Sequence, residues 1–90
     1  MDYKIIFLKE VKEKLQQIDK YCIDHFGNYT FSITLYNEIV RTTNRLRRSP
    51  FMYPKIKNMH RIPLKQGYTL YYYVENNIVY IDCLKGRGEK

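Results

Sequence analysis

Ninety residues make a single domain, and a chain this short buries only roughly 60–65% of its unfolded surface. No apolar run approaches a membrane span, and Met-Asp-Tyr-Lys does not read as a signal peptide, so a cytoplasmic protein without membrane contact is expected. Cys22 and Cys83 stand far apart, with no Cys-x-x-Cys and no paired histidines, which points to two reduced cysteines and neither zinc, cofactor nor a disulfide scaffold.

The net charge of +7 is unevenly distributed. Residues 1–38 hold five lysines against six acids, and residues 75–90 hold three charges of each sign. Residues 39–74 hold Arg41, Arg45, Arg47, Arg48, Lys55, Lys57, Arg61 and Lys65 and no acid at all. Such a segment creates a positive patch suited to phosphates or to an acidic partner.

Tyr3-Lys-Ile-Ile-Phe-Leu8 is short and rich in β-branched and aromatic residues, as a strand is. From Lys9 the period changes. Val11, Leu15, Ile18, Cys22 and Phe26 form one helical stripe, opposite Glu10, Glu13, Lys14, Gln17 and Lys20. Gly27 suits the helix stop, and Asn28 can cap the next segment. A second helix is predicted from about Tyr29 to Arg48, ending before Ser49-Pro50, with the stripe Ile33, Tyr36, Ile39, Val40, Thr43 and Leu46. Arg41, Arg45 and Arg48 align on a face of their own. Residues 49–58 read as a loop that carries Phe51, Met52, Tyr53 and Ile56, available either for packing under the sheet edge or for a partner.

The last third reads as a strand meander from Met59 to Leu84. Asn76-Asn77 fits a two-residue type I′ turn, because Asn tolerates positive φ. That turn pairs Val74 with Val79, Tyr72 with Ile81 and Leu70 with Cys83 on an apolar face. The opposite face then pairs Tyr73 with Tyr80, Tyr71 with Asp82 and Thr69 with Leu84, since side chains alternate along a strand. A three-residue turn, Lys65-Gln66-Gly67, pairs Leu64 with Tyr68 and Ile62 with Leu70, which sets Arg61 beside Tyr71. Arg61, Tyr71 and Asp82 thus form a predicted row across three strands. The predicted core is Leu15, Ile18, Ile39, Ile62, Leu70, Tyr72, Ile81 and Cys83. His60 falls on the core side and His25 near the end of the first helix, both in structural roles. The tail from about residue 85 is basic and reads as flexible.

The predicted architecture is α+β, in the order β-α-α-β-β-β, with a helical hairpin packed on one face of a small antiparallel sheet. In that order and in its residues the chain resembles the RelE/ParE superfamily of toxins from bacterial type II toxin–antitoxin systems. The resemblance rests on Tyr3-Lys-Ile-Ile-Phe7 leading into a helix and on Leu46-Arg-Arg-Ser-Pro50. It continues through His60-Arg-Ile-Pro-Leu64 and Gly67-Tyr-Thr-Leu-Tyr-Tyr72 to the closing Ile78-Val-Tyr-Ile-Asp-Cys-Leu-Lys-Gly-Arg87. It spans nearly the whole chain and persuades through order and spacing, without one sharp motif.

The resemblance implies one of two actions. RelE-like members are ribosome-dependent endoribonucleases that cut mRNA, whereas ParE-like members poison DNA gyrase without nuclease chemistry. Both are neutralised by a cognate antitoxin, expected here to be acidic. RNA cleavage needs a base for the 2′-hydroxyl, an acid for the leaving oxygen and cations for the phosphorane. RelE-like enzymes take these from basic residues on the second and third strands and from a basic and an aromatic residue near the C-terminus. Arg61 matches the first of these and Arg87 the C-terminal arginine. Pro63 and Thr69 stand where further basic residues are expected, and no aromatic follows Arg87.

If the chain is a nuclease, Arg61, Tyr71 and Arg87 are its candidate catalytic residues. An unperturbed tyrosine, with a pKa of about 10, is a poor base at neutral pH. The candidate target-binding face comprises Arg61, Thr69, Tyr71, Tyr73, Tyr80, Asp82, Lys85 and Arg87. Candidate antitoxin contacts are Arg41, Arg45, Arg48, Phe51, Met52 and Tyr53. ParE-like action ranks first, a nuclease with an altered site second, and a small basic RNA-binding module third.

Overall fold

The computed structural model describes residues 2–86, and the segment containing Arg87 lies outside the described residues. In chain order the elements are β1 (Lys4–Phe7), α1 (Lys9–Phe26), α2 (Thr30–Leu46), β2 (Lys55–Ile56), β3 (Met59–Pro63), β4 (Thr69–Glu75) and β5 (Ile78–Lys85). The strands form one sheet in the order β1-β5-β4-β3-β2. The helical hairpin lies on one face of it, which is the expected α+β architecture. In detail the sheet is mixed: β1 runs parallel to β5, Lys4 beside Ile78 and Phe7 beside Ile81. The loop after α2 also contributes the two-residue strand β2, antiparallel to β3. Among the described residues no helix is long and apolar enough to cross a membrane.

The turn residues act as their chemistry dictates. Gly27 takes a φ of 71° and donates its amide to the Ile23 carbonyl at 3.1 Å, ending α1 in a left-handed cap. Asn28 Oδ1 accepts the Thr30 amide at 3.0 Å, which satisfies a donor at the start of α2. Asn76 and Asn77 have φ of 53° and 64°, so the β4–β5 hairpin has both central residues at positive φ, as a type I′ turn requires.

The buried core draws on every layer: Val11, Ile18 and Cys22 from α1, Leu35, Ile39 and Leu46 from α2, and Ile62, Leu70, Tyr72, Val79, Ile81 and Leu84 from the sheet. Leu15 is only partly buried against it, and Phe26, at the end of the predicted α1 stripe, is 58% exposed.

Helix α2 is rotated relative to its predicted stripe. Its buried face is Ser32, Leu35, Ile39, Thr42, Thr43 and Leu46, while Ile33 and Tyr36 are 57% and 54% exposed. Small hydroxyl residues make that rotation possible, because a buried hydroxyl can reach an acceptor close by. Thr43 Oγ1 donates to the Ile39 carbonyl at 2.8 Å, and Ser32 Oγ donates to the Asp19 carboxylate, joining the two helices. At the far end of the sheet, the Glu38 carboxylate accepts the Lys65 amide at 3.0 and 3.2 Å and ties α2 to the β3–β4 turn.

The β4–β5 ladder keeps the predicted register from Glu75–Ile78 to Tyr72–Ile81 and then slips. A bulge at Asp82 makes Tyr71 pair with Cys83, Leu70 with Leu84 and Thr69 with Lys85. The predicted pairs Tyr71–Asp82, Leu70–Cys83 and Thr69–Leu84 are therefore replaced. The bulge turns Leu84 inward to 3% exposure and leaves Cys83 half-buried instead of in the core. Burying a leucine contributes about 1.5–3 kcal/mol over leaving it exposed. That exceeds the roughly 1 kcal/mol net value of the ladder hydrogen bond disturbed by a bulge.

Candidate target-binding face of the sheet

The sheet face opposite the helices is organised around Tyr71. Arg61 on β3 pairs with Tyr71 on β4, and its guanidinium carbon lies 5.5 Å from the Tyr71 ring centroid. From the other side the bulge brings Lys85, whose Nζ lies 5.8 Å from the same centroid. One aromatic ring is thus flanked by two cations from neighbouring strands, each such contact contributing about 0.5–1 kcal/mol at an exposed site. In the ladder Tyr71 pairs with Cys83 in place of Asp82, and Lys85 joins Arg61 beside its ring.

Beside this cluster, Tyr73 and Tyr80 stack with centroids 5.0 Å apart and planes at 22°. Burial pushes the Tyr73 hydroxyl above its ordinary value, and the Asp82 and Glu75 carboxylates push it the same way. Burial likewise raises the Cys83 thiol, with Asp82 adding to the effect and Lys85 opposing it. Both groups are held protonated at neutral pH, so neither supplies a base. Asp82 is the residue the ladder skips, so it is not the cross-strand partner of Tyr71 as predicted, and its carboxylate acts on Tyr73 and Cys83.

Thr69 lies between Pro63 on β3 and Lys85 on β5. The two positions where the nuclease resemblance calls for basic residues, Pro63 and Thr69, are therefore direct neighbours across β3 and β4. Together they leave an uncharged patch beside the Tyr71 cluster. The face collects Arg61, Thr69, Tyr71, Tyr73, Tyr80 and Lys85, while Arg87 lies outside the described residues. Among those residues no group of three or more His, Cys, Asp or Glu side chains converges on a metal position.

The candidate partner residues form a second region. Arg41 and Arg45 are exposed on α2 and Arg48 just beyond it, while Phe51 and Met52 are 63% and 49% exposed. Tyr53 differs from them: it packs partly against the core, and its carbonyl holds His60 Nδ1 at 2.8 Å. His60 is buried as expected and stacks on Tyr72 at 4.7 Å and 13°. His25 stacks on Tyr21 at 3.9 Å, and its Nδ1 lies 3.1 Å from the Tyr21 carbonyl. The sequence reading missed Lys85 as a neighbour of Tyr71 and the outward placement of Ile33 and Tyr36. An aspartate within a strand, a residue type strands avoid, was the available signal for the bulge.

No protein-family model matches the chain, and neither does any curated protein sequence. Solved structures do. A chain of the chromosomal ParDE toxin–antitoxin system from P. aeruginosa superposes with a TM-score of 0.77 at 10% identity, over 94% of this chain and 96% of that one. The archaeal RelE–RelB complex from Pyrococcus horikoshii OT3 gives 0.59 at 19% identity, with both chains fully covered. The isolated E. coli RelE toxin gives 0.59 at 15% identity, over 98% of this chain and 87% of that one. The fold is that of the RelE/ParE toxins, end to end.

Proposed function

We propose that this chain is the toxin of a type II toxin–antitoxin pair and inhibits growth in the ParE-like manner, by binding a protein or nucleoprotein target such as DNA gyrase. The observation that carries this reading is the Pro63–Thr69 pair. Cleavage of RNA needs cations and proton-transfer groups converging on one phosphate. Two adjacent positions that would supply them hold a pyrrolidine ring and a hydroxyl instead. The higher TM-score with the ParDE chain, 0.77 against 0.59 for the RelE chains, points in the same direction. In this reading Arg61, Tyr71 and Lys85 form the centre of the target contact. A cognate antitoxin covers the exposed apolar residues of α2 and of the loop after it, and its acids meet Arg41, Arg45 and Arg48.

A ribosome-dependent nuclease with an altered site is the second reading. It is favoured by Tyr71 lying between Arg61 and Lys85, since a ring flanked by cations suits an unpaired base with its phosphates. Two assays on the purified protein decide between them. ParE-like action predicts inhibition of gyrase supercoiling and intact mRNA in a translation extract. Codon-phased mRNA cleavage with unaffected gyrase puts the nuclease first, and a protein inert in both assays removes the toxin reading.

A further inference from the structure

At one end of the sheet β3 and β4 separate. Their pairing stops at His60 and Tyr72 although β4 continues to Glu75, because β3 turns away there into its hairpin with β2. The separation leaves a notch of about 330 Å3, lined by Phe51, Lys55, Asn58, His60, Tyr73 and Glu75 among others. That size falls at the lower end of small-molecule sites, about 300–1,000 Å3.

We propose that this notch binds the base of a guanine nucleotide. Phe51 and Tyr73 supply aromatic surface for a planar ring, and Phe51 is 63% exposed. Buried His60 is fixed by its neighbours. Its Nδ1 donates to the Tyr53 carbonyl at 2.8 Å, and its ring lies 4.7 Å from Tyr72 and 5.9 Å from Phe51. A carbonyl can only accept, so Nδ1 carries the hydrogen.

Lys55, Asn58 and Glu75 line the notch with an ammonium, an amide and a carboxylate, and among the described residues their side chains make no hydrogen bond or ion pair. Their chemistry selects among bases. A carboxylate accepts two hydrogen bonds side by side, and guanine alone of the four RNA bases presents adjacent donors, N1–H and the N2 amino group. Adenine and cytosine would set a ring acceptor against the carboxylate, and uracil flanks its single donor with two carbonyls. The Lys55 ammonium complements guanine O6 and N7, the contact lysine makes with this base elsewhere.

The base can belong to a free nucleotide or to a single strand. Tyr73 lies two residues from Tyr71, about 6.6 Å along the strand. That step is comparable to the spacing of neighbouring nucleotides in an extended chain. The notch thus extends the Tyr71 face, but its binding chemistry does not depend on the toxin reading.

Amide chemical shifts of the full chain, titrated with GMP, AMP, CMP, UMP and inorganic phosphate, test the proposal without recourse to growth or gyrase assays. GMP is expected to shift the amides of Asn58, His60, Tyr73 and Glu75 and to bind about tenfold or more tightly than the other nucleotides, the discrimination a bidentate base contact supplies. Glu75→Gln should remove that preference while leaving the spectrum of the folded protein intact, and Phe51→Ala should weaken all four nucleotides. Comparing UUGU with GMP identifies the source: a tighter oligonucleotide means a base in a strand, and equal affinity means a free nucleotide. Equal shifts from all nucleotides and phosphate, shifts confined to the surroundings of Arg61 and Lys85, or no shifts at millimolar GMP would overturn it.

Discussion

Tyr71 pairs with Cys83, one residue beyond the partner that uninterrupted alternation from the Asn76-Asn77 turn assigns to it. That slip exchanges the roles of two neighbouring residues. Leu84 becomes core, Cys83 moves out of it, and Lys85 arrives beside the Tyr71 ring. The approach of Lys85 to the Tyr71 ring therefore depends on packing on the opposite face.

The bulge can be tested through stability. Leu84→Ala should cost about 2–5 kcal/mol, as a buried leucine truncation does, whereas Cys83→Ala should cost about 1 kcal/mol or less. Urea unfolding of the two variants beside the parent measures the difference. The reverse order would restore the uninterrupted register and remove Lys85 from the cluster.

A second prediction concerns Tyr72. Its hydroxyl donates to the Pro50 carbonyl at 2.8 Å from a fully buried ring, and burial pushes its pKa from 10.0 up to about 12, partly offset by the Tyr53 backbone. The unfolded chain releases this proton first. The contribution of Tyr72 to stability is thus complete below about pH 10 and is lost as pH rises towards 12. Tyr72→Phe should cost about 1–3 kcal/mol at neutral pH, because the Pro50 carbonyl loses its donor. Between pH 10 and 12 the gap between parent and variant in urea midpoint should narrow. A gap independent of pH would show that the hydroxyl does not titrate with folding.

The hairpin turns, the strand order of the meander and most of the sheet core were legible in the sequence, because Asn-Asn, Gly67 and alternating apolar residues impose local constraints. The bulge was not, since it reflects a competition between Leu84 and Cys83 for one buried position. Helix α2 misled for a related reason. Ile33 and Tyr36 outrank Ser32, Thr42 and Thr43 on any apolar scale, yet the small residues allow close packing and have backbone or carboxylate acceptors nearby. The parallel β1–β5 pairing carries no sequence signal, because it joins the two ends of the chain. Of the candidate site, Arg61 beside Tyr71 was readable from the β3–β4 turn, while Lys85 depended on the bulge.

The outward face of α2 yields a prediction about the antitoxin. Tyr29, Ile33 and Tyr36 are 47%, 57% and 54% exposed at helical spacing, with Arg41 and Arg45 further along the same helix. Ile33→Asp should mainly speed dissociation, since it places a charge in apolar contact area. Charge reversal of Arg45 and Arg48 to Glu should mainly slow association and flatten its dependence on salt, because rim charges act through steering. Stopped-flow kinetics at low and high salt separate the two effects. Association unchanged at low salt by the double reversal would remove electrostatic steering.

The last prediction concerns toxicity and the cations around Tyr71. Arg61 is exposed, so Arg61→Ala should cost only about 0.5–1 kcal/mol of stability, the cation–π contact it loses. If the open face contacts the target, the same change should abolish growth arrest at the parent dose while antitoxin affinity stays near the parent value. Lys85→Ala should act in the same direction, because Lys85 lies 5.8 Å from the ring that Arg61 approaches at 5.5 Å. Tyr71→Ala removes the ring shared by both cations, so combining it with Arg61→Ala should add less than the sum of the single effects. Dose–response curves for growth arrest, with circular dichroism and antitoxin titration as controls, measure all three. A folded Arg61→Ala protein that arrests growth at the parent dose would transfer toxicity to the helical layer, where Arg41, Ile33 and Tyr36 are the next residues to replace. Charge supplies the final control. Arg61→Lys keeps the positive charge but loses the planar fork, so partial activity would indicate attraction to phosphate, and none would indicate a directional contact with the target.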